Sequence, residues 1–477
     1  MSTNRNRQTR RSWFRHVLEN RSASTFGLVV VILMGVLGYA QALPNSILVA
    51  SILLVIVYEF QKRLDQGVPL LQLTSLLAVL QWLVGPALNY SINFEYGRYS
   101  MYVDESDYFR FALPATAAYV ALMLMAGVSI RQANLFQQVN RKHFFEIGFL
   151  LNVIAFGAAF AADRAGGSLA FLFHLLSQLR YVGALYFLFS KNQLRLLLAL
   201  ASCSPLVTRS LGSGMFHDLI LWLAILFCFW FAQRKWQIHV KLLMLTVAGV
   251  SLFSIQVIKQ DYREELRMGR QPAILPLIYE YVTPGGKAWG DEALSLVVTR
   301  LNQGWIISAV MKNVPAAEPF ANGETVKDAR SASMLPRFLH KEKKTAGGRD
   351  NFRRFTGLEI QDSTSMGISP LGEAYANFGV NGGIMFMFAF GASFALIYRG
   401  TLRYALKHPT FLFWIPLIFY QAIKAETELL VVLNQLTKGS VIAFGCHYLL
   451  ISLLPSNSGK AAESGMMPIS KPGSQQA

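Results

Sequence analysis

Nine arginines concentrated in residues 259–370 could bind phosphate or pyrophosphate. A guanidinium is planar and permanently charged, so it can hold such a group through paired hydrogen bonds. The same segment carries 16 basic and 13 acidic residues, so its arginines could instead form ion pairs on a solvated surface. The residues alone leave both interpretations open. The nine are Arg263, Arg267, Arg270, Arg300, Arg330, Arg337, Arg349, Arg353 and Arg354.

A carboxylate and two amides follow this segment at helical spacing. In the run STSMGISPLGEAYANFGVNGG, residues 363–383, Ser369 and the proline after it are typical of a helix N-cap and first helical position. Glu373, Asn377 and Asn381 then recur every four residues and share one helix face. Glu373 could accept a proton from a reacting hydroxyl, or it could only stabilise the positive end of the helix dipole.

Two further arginines lie in or beside apolar runs. Arg180 falls within the run 168–189, and His174 and Gln178 precede it on one helical face. An ionisable group at membrane depth is costly, so it indicates either a lipid-phosphate contact or an internal hydrogen-bond network. Arg209 lies at the end of the next apolar run, where it could contact a ligand or extend its charge into the headgroup region.

Long apolar runs define the elements that must position these groups. Of the 477 residues, 53% are hydrophobic and 15% are charged, and the three cysteines show neither CxxC nor zinc-ligand spacing. A helix needs about 20 apolar residues to cross a bilayer, so the sequence predicts an all-α integral membrane protein with about 12 transmembrane helices. The predicted spans are 26–43, 46–60, 70–92, 111–130, 144–162, 168–189, 193–208, 215–232, 242–258, 371–398, 410–423 and 439–454.

The distribution of lysine and arginine indicates how these spans are oriented. With the N-terminus inside, the cytoplasmic segments hold 21 of the 44 basic residues, and the short external loops hold 6. Cytoplasmic loops of membrane proteins carry an excess of Lys and Arg. We therefore expect both termini in the cytoplasm and one large external (periplasmic) loop domain between spans 9 and 10.

The chain accordingly divides into five parts. A structureless loop as long as 259–370 is unusual, so this part is expected to be a small domain or a set of surface helices. Its first residues, IKQDYREELRMGR, are charged at helical spacing and extend the ninth span outward. The parts are a basic cytoplasmic N-terminus (1–25), a bundle of nine spans (26–258), the external Arg-rich domain (259–370), three further spans (371–454) and a disordered cytoplasmic tail (455–477).

The segment 424–438 allows two interpretations. If the last helix begins near residue 428, Lys438 lies in the middle of the bilayer. If the segment is external or re-entrant, Glu426 and Glu428 lie at the rim of an outer cavity. We prefer the second interpretation because 439–454 is apolar enough to span the membrane alone.

Several of these motifs together resemble a known family. SPLGEAYANFGVNGG is similar to the signature that enters a late membrane span in Wzy-type O-antigen polymerases, the bacterial oligosaccharide repeat-unit polymerases. TRLNQGW (299–305), FANGET (320–325) and LPRFLHKEK (335–343) resemble, in order, the segments of that family's long external loop. Arg209 matches loosely, because this chain has Val-Thr-Arg-Ser where the family often has Gly-Ser-Arg-Gly.

The resemblance implies a glycosyltransferase of the bacterial inner membrane. Such an enzyme transfers a glycan from undecaprenyl pyrophosphate to a lipid-linked acceptor unit on the external face, and it needs neither a cofactor nor a metal. It implies partners as well, a chain-length-regulating copolymerase and a flippase, and it implies no nucleic acid. Fixed arginines would stabilise the charge that develops on the pyrophosphate. The candidate catalytic residues are Glu373, Arg300 and Arg337, and the candidate substrate-binding residues are Arg209, Arg353, Arg354, Arg263, Arg180 and Asn377.

Three alternatives stay open. An O-antigen ligase-like enzyme shares the donor chemistry and differs only in its acceptor. A lipid-oligosaccharide flippase or other transporter would need a central cavity lined by charges from many spans, whereas here the charge is concentrated in one external segment. A non-catalytic scaffold of a polysaccharide assembly complex would tolerate loss of the arginine charges.

Overall fold

The computed structural model of the chain describes most of the predicted bundle. It covers residues 25–64, 66–92, 99–126, 139, 141–233, 235–270, 273, 276, 279, 283, 295, 298–334, 348–361 and 364–453. Within these ranges the chain is helical or irregular, without a β-strand. The basic segment before residue 25, the tail from 455 and Arg337 lie outside the described residues.

Fifteen helices of the described chain are numbered here in order. They are α1 (Thr25–Tyr39), α2 (Asn45–Arg63), α3 (Leu70–Ser91), α4 (Glu105–Ala126), α5 (Phe144–Ala162), α6 (Leu169–Phe189), α7 (Arg195–Ser202 and Ser204–Ser213), α8 (His217–Phe231), α9 (Ile238–Arg267), α10 (Gly304–Asn313), α11 (Glu324–Met334), α12 (Arg349–Thr356), α13 (Ser369–Lys407), α14 (Pro409–Ile423) and α15 (Leu429–Leu453).

Seven of these helices are long and apolar enough to cross a membrane: α2 to α6, α13 and α15. The bent pair α7 makes an eighth if it counts as one span. Shorter apolar helices are α1, α8, the first part of α9 (Ile238–Ser251) and α14. Each of the twelve predicted spans overlaps one of these apolar helices, and the chain has the architecture of an α-helical membrane protein.

The seventh predicted span is not a straight helix. It breaks at Cys203, and the two pieces are bent by 43°. Pro205 stands at the start of the second piece, and a proline lacks the N–H that would continue the hydrogen-bond ladder. The second piece ends at Gly214, whose φ of 63° terminates the helix.

The preferred interpretation of the last span was wrong in part. Residues 424–428 are non-helical, but α15 begins at Leu429 and therefore contains Lys438. Polar side chains inside this helix are hydrogen-bonded, which allows the helix to be longer than its apolar run. Lys438 Nζ donates to Asn434 Oδ1 at 2.6 Å, and Gln435 Nε2 donates to Leu417 O at 2.6 Å.

Helix α13 packs closely along α4 because glycines face that helix. A Cβ on Gly383 would lie 2.8 Å from Phe111 Cε2, and one on Gly391 would clash with the carbonyl of Tyr119. Small residues at such positions let two helices approach closely. This contact fixes α13, whose first turns carry the sequence motif that resembles the polymerase signature.

A second apolar core lies at one end of the molecule, within the predicted external part. Trp305 of α10 packs near Phe352 of α12, with ring centroids 6.2 Å apart, and Tyr99 packs edge-on against Trp305 at 5.2 Å. The backbone N–H of Tyr102 donates to Ser308 Oγ at 3.1 Å. The loop between α3 and α4 therefore contacts this second core, as expected if both lie on the same side of the bundle.

Candidate functional site

Helix α13 breaks at a glycine, and the FANGET turn stabilises the break. Gly379 has φ 64° and ψ −158°, which lie outside the helical range. A break in a helix frees backbone carbonyls from their partners. The N–H of Ala321 donates to Ala376 O at 2.9 Å, and the N–H of Asn322 donates to Asn377 O at 3.1 Å. Two segments of the polymerase-like pattern thus bind each other directly.

The carboxylate of Glu373 and the amide of Asn377 lie inside this contact. Glu373 is 1% exposed and accepts hydrogen bonds from Thr325 Oγ1 at 3.0 Å and from the backbone N–H of Leu429 at 2.8 Å. Asn377 donates to Thr325 Oγ1 at 2.7 Å, and its Oδ1 accepts the N–H of Gly323 at 3.0 Å. The pair joins α11, α13 and the start of α15, and Glu373 does not face the open end of the bundle.

Two adjacent arginines of α12, Arg353 and Arg354, form ion pairs with nearby carboxylates. Arg354 Nε lies 2.6 Å from Glu318 Oε1, and its terminal nitrogens lie 2.9 and 3.1 Å from the two oxygens of Glu324. Arg353 Nε lies 3.1 Å from Glu359 Oε2. For these two candidates the structure favours the ion-pair alternative that the sequence left open.

The turn of TRLNQGW positions Arg300. A Cβ on Gly304 would clash with Pro86 and would lie 2.8 Å from the hydroxyl of Tyr108, so only glycine fits there. Gly85 approaches the backbone of Asn302 equally closely: its Cβ would lie 2.7 Å from Asn302 Cα. The turn is thereby packed against α3, and Arg300, just before it, is exposed.

Arg300 lies within electrostatic range of two cations on α9. Burial, together with the charges of Arg300 and Arg263, lowers the pKa of Lys259 to about 8, while Glu426 acts in the opposite direction. Burial and the charge of Arg300 also lower the pKa of Arg263. Like charges brought together in a partly buried place repel one another, so an anion bound among them would stabilise their arrangement.

Carboxylates and a histidine lie next to these cations. Glu426 Oε1 is 3.6 Å from His217 Nδ1, and Glu426 Oε2 accepts a hydrogen bond from Gln303 Nε2 at 3.4 Å. Lys424 Nζ donates to Asp218 Oδ1 at 2.6 Å, and the Lys424 side chain is only 10% exposed. The non-helical segment 424–428 therefore connects the start of α8 to the turn before α10.

Arg180 and Arg209 belong to the same neighbourhood. Both lie within electrostatic range of His174, as do Asp218 and Lys424. Arg180 Nε is buried and has no hydrogen-bond partner among the described residues, while the rest of the guanidinium lies near the Tyr181 ring, with Cζ 5.1 Å from its centroid. We call the whole set the charge cluster. Its members are Lys259, Arg263, Arg300, His217, Asp218, Lys424, Glu426, Arg180 and Arg209.

Four members of the charge cluster carry roles that the sequence did not assign. Lys259 was part of a charged helical extension, His217 and Asp218 fell near the start of the predicted span 215–232, and Lys424 belonged to the segment 424–438, which allowed two interpretations. The sequence signal was available in each case, because each is an ionisable residue at the end of an apolar run. Their common location depends on tertiary contacts.

The charge cluster is suited to an anionic ligand. Among the described residues, no three His, Cys, Asp or Glu side chains form a group that could hold a metal ion. The cations outnumber the carboxylates, and most of the cations are arginines with planar donors suited to phosphate. Arg337, the remaining candidate, lies outside the described residues.

Fold and site together define the class: an all-helical membrane protein with a basic cluster at one end of its bundle. The family model of DUF8712, a domain of unknown function, matches residues 90–401, roughly two-thirds of the chain. The chain belongs to this family. Comparisons with curated proteins and with solved structures found no match.

Proposed function

We propose that the protein is a membrane glycosyltransferase that joins lipid-pyrophosphate-linked oligosaccharide repeat units into a polysaccharide. The observation that carries the proposal is the grouping of Lys259, Arg263 and Arg300 at one end of the bundle. Three cations in mutual range suit a pyrophosphate, which carries more negative charge than a phosphodiester. The resemblance of TRLNQGW to the polymerase pattern supports the same assignment for Arg300.

The proposed reaction breaks the bond between the anomeric carbon and the pyrophosphate oxygen of the donor. The electron pair of that bond passes to the pyrophosphate, and the cations stabilise the charge as it develops. The acceptor hydroxyl oxygen forms the new bond to the anomeric carbon and loses its proton. Glu426, 39% exposed and 3.6 Å from His217, is the carboxylate placed to receive this proton.

Glu373 has a different role in this proposal. Its two hydrogen bonds and its burial make it a positioning residue, which holds the segment 424–428 and therefore Glu426 in place. Asn377 acts with it. Arg353 and Arg354 stabilise the predicted external part through their ion pairs. Arg180 and Arg209 extend the cationic surface toward the bundle.

The proposed location is the bacterial inner membrane, with both termini in the cytoplasm and the charge cluster on the external face. The excess of basic residues in the predicted cytoplasmic segments supports this orientation. Contacts among the predicted external loops also support it, since Gln303 meets Glu426 and Asn351 Nδ2 donates to Glu428 Oε1 at 2.9 Å. The proposed partners are a flippase that supplies the lipid-linked units and a chain-length-regulating copolymerase.

The test uses a strain that lacks the chromosomal copy and carries wild-type protein, Arg300→Ala or Arg330→Ala. Arg330 is the control, because it is an exposed arginine of the same predicted external segment, 259–370, and is not part of the charge cluster. Surface polysaccharide and lipid-linked intermediates are separated on gels, and the amount of each protein in the membrane is measured by blotting.

We expect Arg300→Ala to lose long polymer and to accumulate single lipid-linked units, while Arg330→Ala matches the wild type. Long lipid-linked polymer that never reaches its final acceptor would indicate a ligase instead. Identical ladders for Arg300→Ala and the wild type, at equal protein levels, would refute the proposal.

A further inference from the structure

Helix α9 is packed at both ends and open in the middle. Near its start, Lys241 is buried and its Nζ donates to Gln61 O at 3.3 Å. Near its end, the Tyr262 hydroxyl donates to Leu211 O at 3.0 Å. Between these contacts, residues 246–251 are all exposed. Six consecutive residues cover every face of a helix with 3.6 residues per turn, so α9 stands clear of the bundle at this level.

The exposed stretch 246–251 can lie against hydrocarbon. Val247 and Val250 are 53% and 57% exposed. Thr246 and Ser251 donate their hydroxyls to the carbonyls four residues earlier, at 3.0 and 2.8 Å, so both can face hydrocarbon without a further partner. A side chain at Gly249 would meet open space, since no described atom beyond its own helix lies within 4 Å. We call this exposed stretch, residues 246–251, the α9 window.

The α9 window leads directly to the cations of the charge cluster. Six residues of helix span about 9 Å along the axis, and Lys259 follows the last of them by about 12 Å. Arg263 is one turn beyond Lys259, and its side chain lies beside Gly214 at the end of α7, where an added Cβ would come within 2.6 Å of Arg263 Cγ. A ligand with a negatively charged head at Lys259 and Arg263 would therefore place an attached chain beside the window.

We propose that the α9 window receives the isoprenoid chain of a polyprenyl pyrophosphate lipid, the donor of the proposed reaction. The inference rests on the proposed function and adds the route by which the donor lies in the bundle. Charge selects this occupant, because three grouped cations match a pyrophosphate better than the single negative charge of a phosphodiester lipid. Because residues 246–251 are exposed around the helix, the chain can reach this stretch laterally from the bilayer.

The experiment compares two glycines that are alike in structure. Gly249 of α9 and Gly157 of α5 are both exposed helical glycines at which an added side chain would meet open space, and only Gly249 lies at the window. A photoreactive p-benzoylphenylalanine replaces each in turn in the full chain, purified in lipid nanodiscs. The probes are radiolabelled C55 polyprenyl pyrophosphate and radiolabelled phosphatidylglycerol, each added at the same concentration.

We expect severalfold more crosslinking of polyprenyl pyrophosphate at position 249 than at position 157. Inorganic pyrophosphate and the Arg300→Ala substitution should each reduce the yield at 249 and leave that at 157 unchanged. Equal yields at the two positions would overturn the proposal, and so would phosphatidylglycerol crosslinking at 249 as strongly as the pyrophosphate lipid.

A second variant separates this inference from the proposed function. Gly249→Trp places a bulky side chain where the isoprenoid chain would lie and should remove most polyprenyl pyrophosphate binding, whereas Gly157→Trp should leave it intact. If Arg300→Ala abolishes polymer but Gly249→Trp binds donor and makes polymer normally, the window is wrong and the enzyme assignment stands. If the crosslinks form as expected but Arg300→Ala makes normal polymer, the lipid site stands and the polymerase assignment fails.

Discussion

Lys259 gives the charge cluster a pH dependence that can be measured. Its pKa of about 8 results from burial and from the neighbouring charges of Arg300 and Arg263. Only the protonated ammonium attracts an anion, and a bound anion in turn raises the lysine pKa. Affinity for an anionic ligand should therefore be greatest below pH 8 and should fall as the pH rises through that value.

The size of this effect follows from the fraction of charged lysine. With a pKa of about 8, roughly nine-tenths of Lys259 is protonated at pH 7 and roughly one-tenth at pH 9. If binding requires the charge, affinity falls by up to about tenfold over this range, or about 1.4 kcal/mol. The arginines of the cluster keep their charge throughout and supply the remaining affinity.

The assay measures binding of a glycosyl polyprenyl pyrophosphate to the purified protein in nanodiscs between pH 7 and 9. This probe is a diester whose own charge is constant over the range. Lys259→Arg should remove the pH dependence, because arginine remains protonated, and Lys312→Arg, a matched change at an exposed lysine of α10, should retain it. If wild type and Lys259→Arg lost affinity in parallel, Lys259 would not be part of the binding site.

Further substitutions separate the residues that hold the fold from those that act on substrate. Glu373→Ala leaves the N–H of Leu429 without its acceptor and should lower the unfolding free energy by about 2 to 4 kcal/mol, measured by thermal unfolding in detergent. Gly304→Ala should cost about 1 to 3 kcal/mol in the same assay, because the turn has no room for a methyl group. Arg354→Ala breaks a partly exposed ion pair, so it should cost about 1 kcal/mol and keep polymer synthesis on gels. Glu426→Gln should keep the wild-type unfolding temperature and lose polymer; full activity in this variant would exclude it as the base.

Hydropathy was sufficient to locate the apolar helices, because a bilayer imposes a length and a composition on anything that crosses it. Hydropathy did not predict that the seventh span is bent at a break before Pro205. It also did not predict that the last helix begins at Leu429. The second miss has a specific cause. Asn434 and Lys438 satisfy each other inside α15, and no property of the single residues indicates that they will.

The candidate site was less predictable, because pairing decides which charges are available. Arg300 and Arg354 look equivalent in the sequence, because both are basic residues of the segment 259–370. Glu318 and Glu324 bind Arg354, whereas Arg300 is exposed beside Lys259 and Arg263. The distinction depends on which segments fold next to each other, and local sequence does not carry that information.

The polymerase-like motifs and the charge cluster have different parts in the structure. The motif residues Glu373 and Asn377 are buried and bind α11 and the start of α15, so their hydrogen bonds determine where the segment 424–428 lies. That segment brings Lys424 and Glu426 to the start of α8 and to the turn after Arg300. The motif residues therefore build a frame, and helix ends far apart in the sequence supply the charges that the frame holds together.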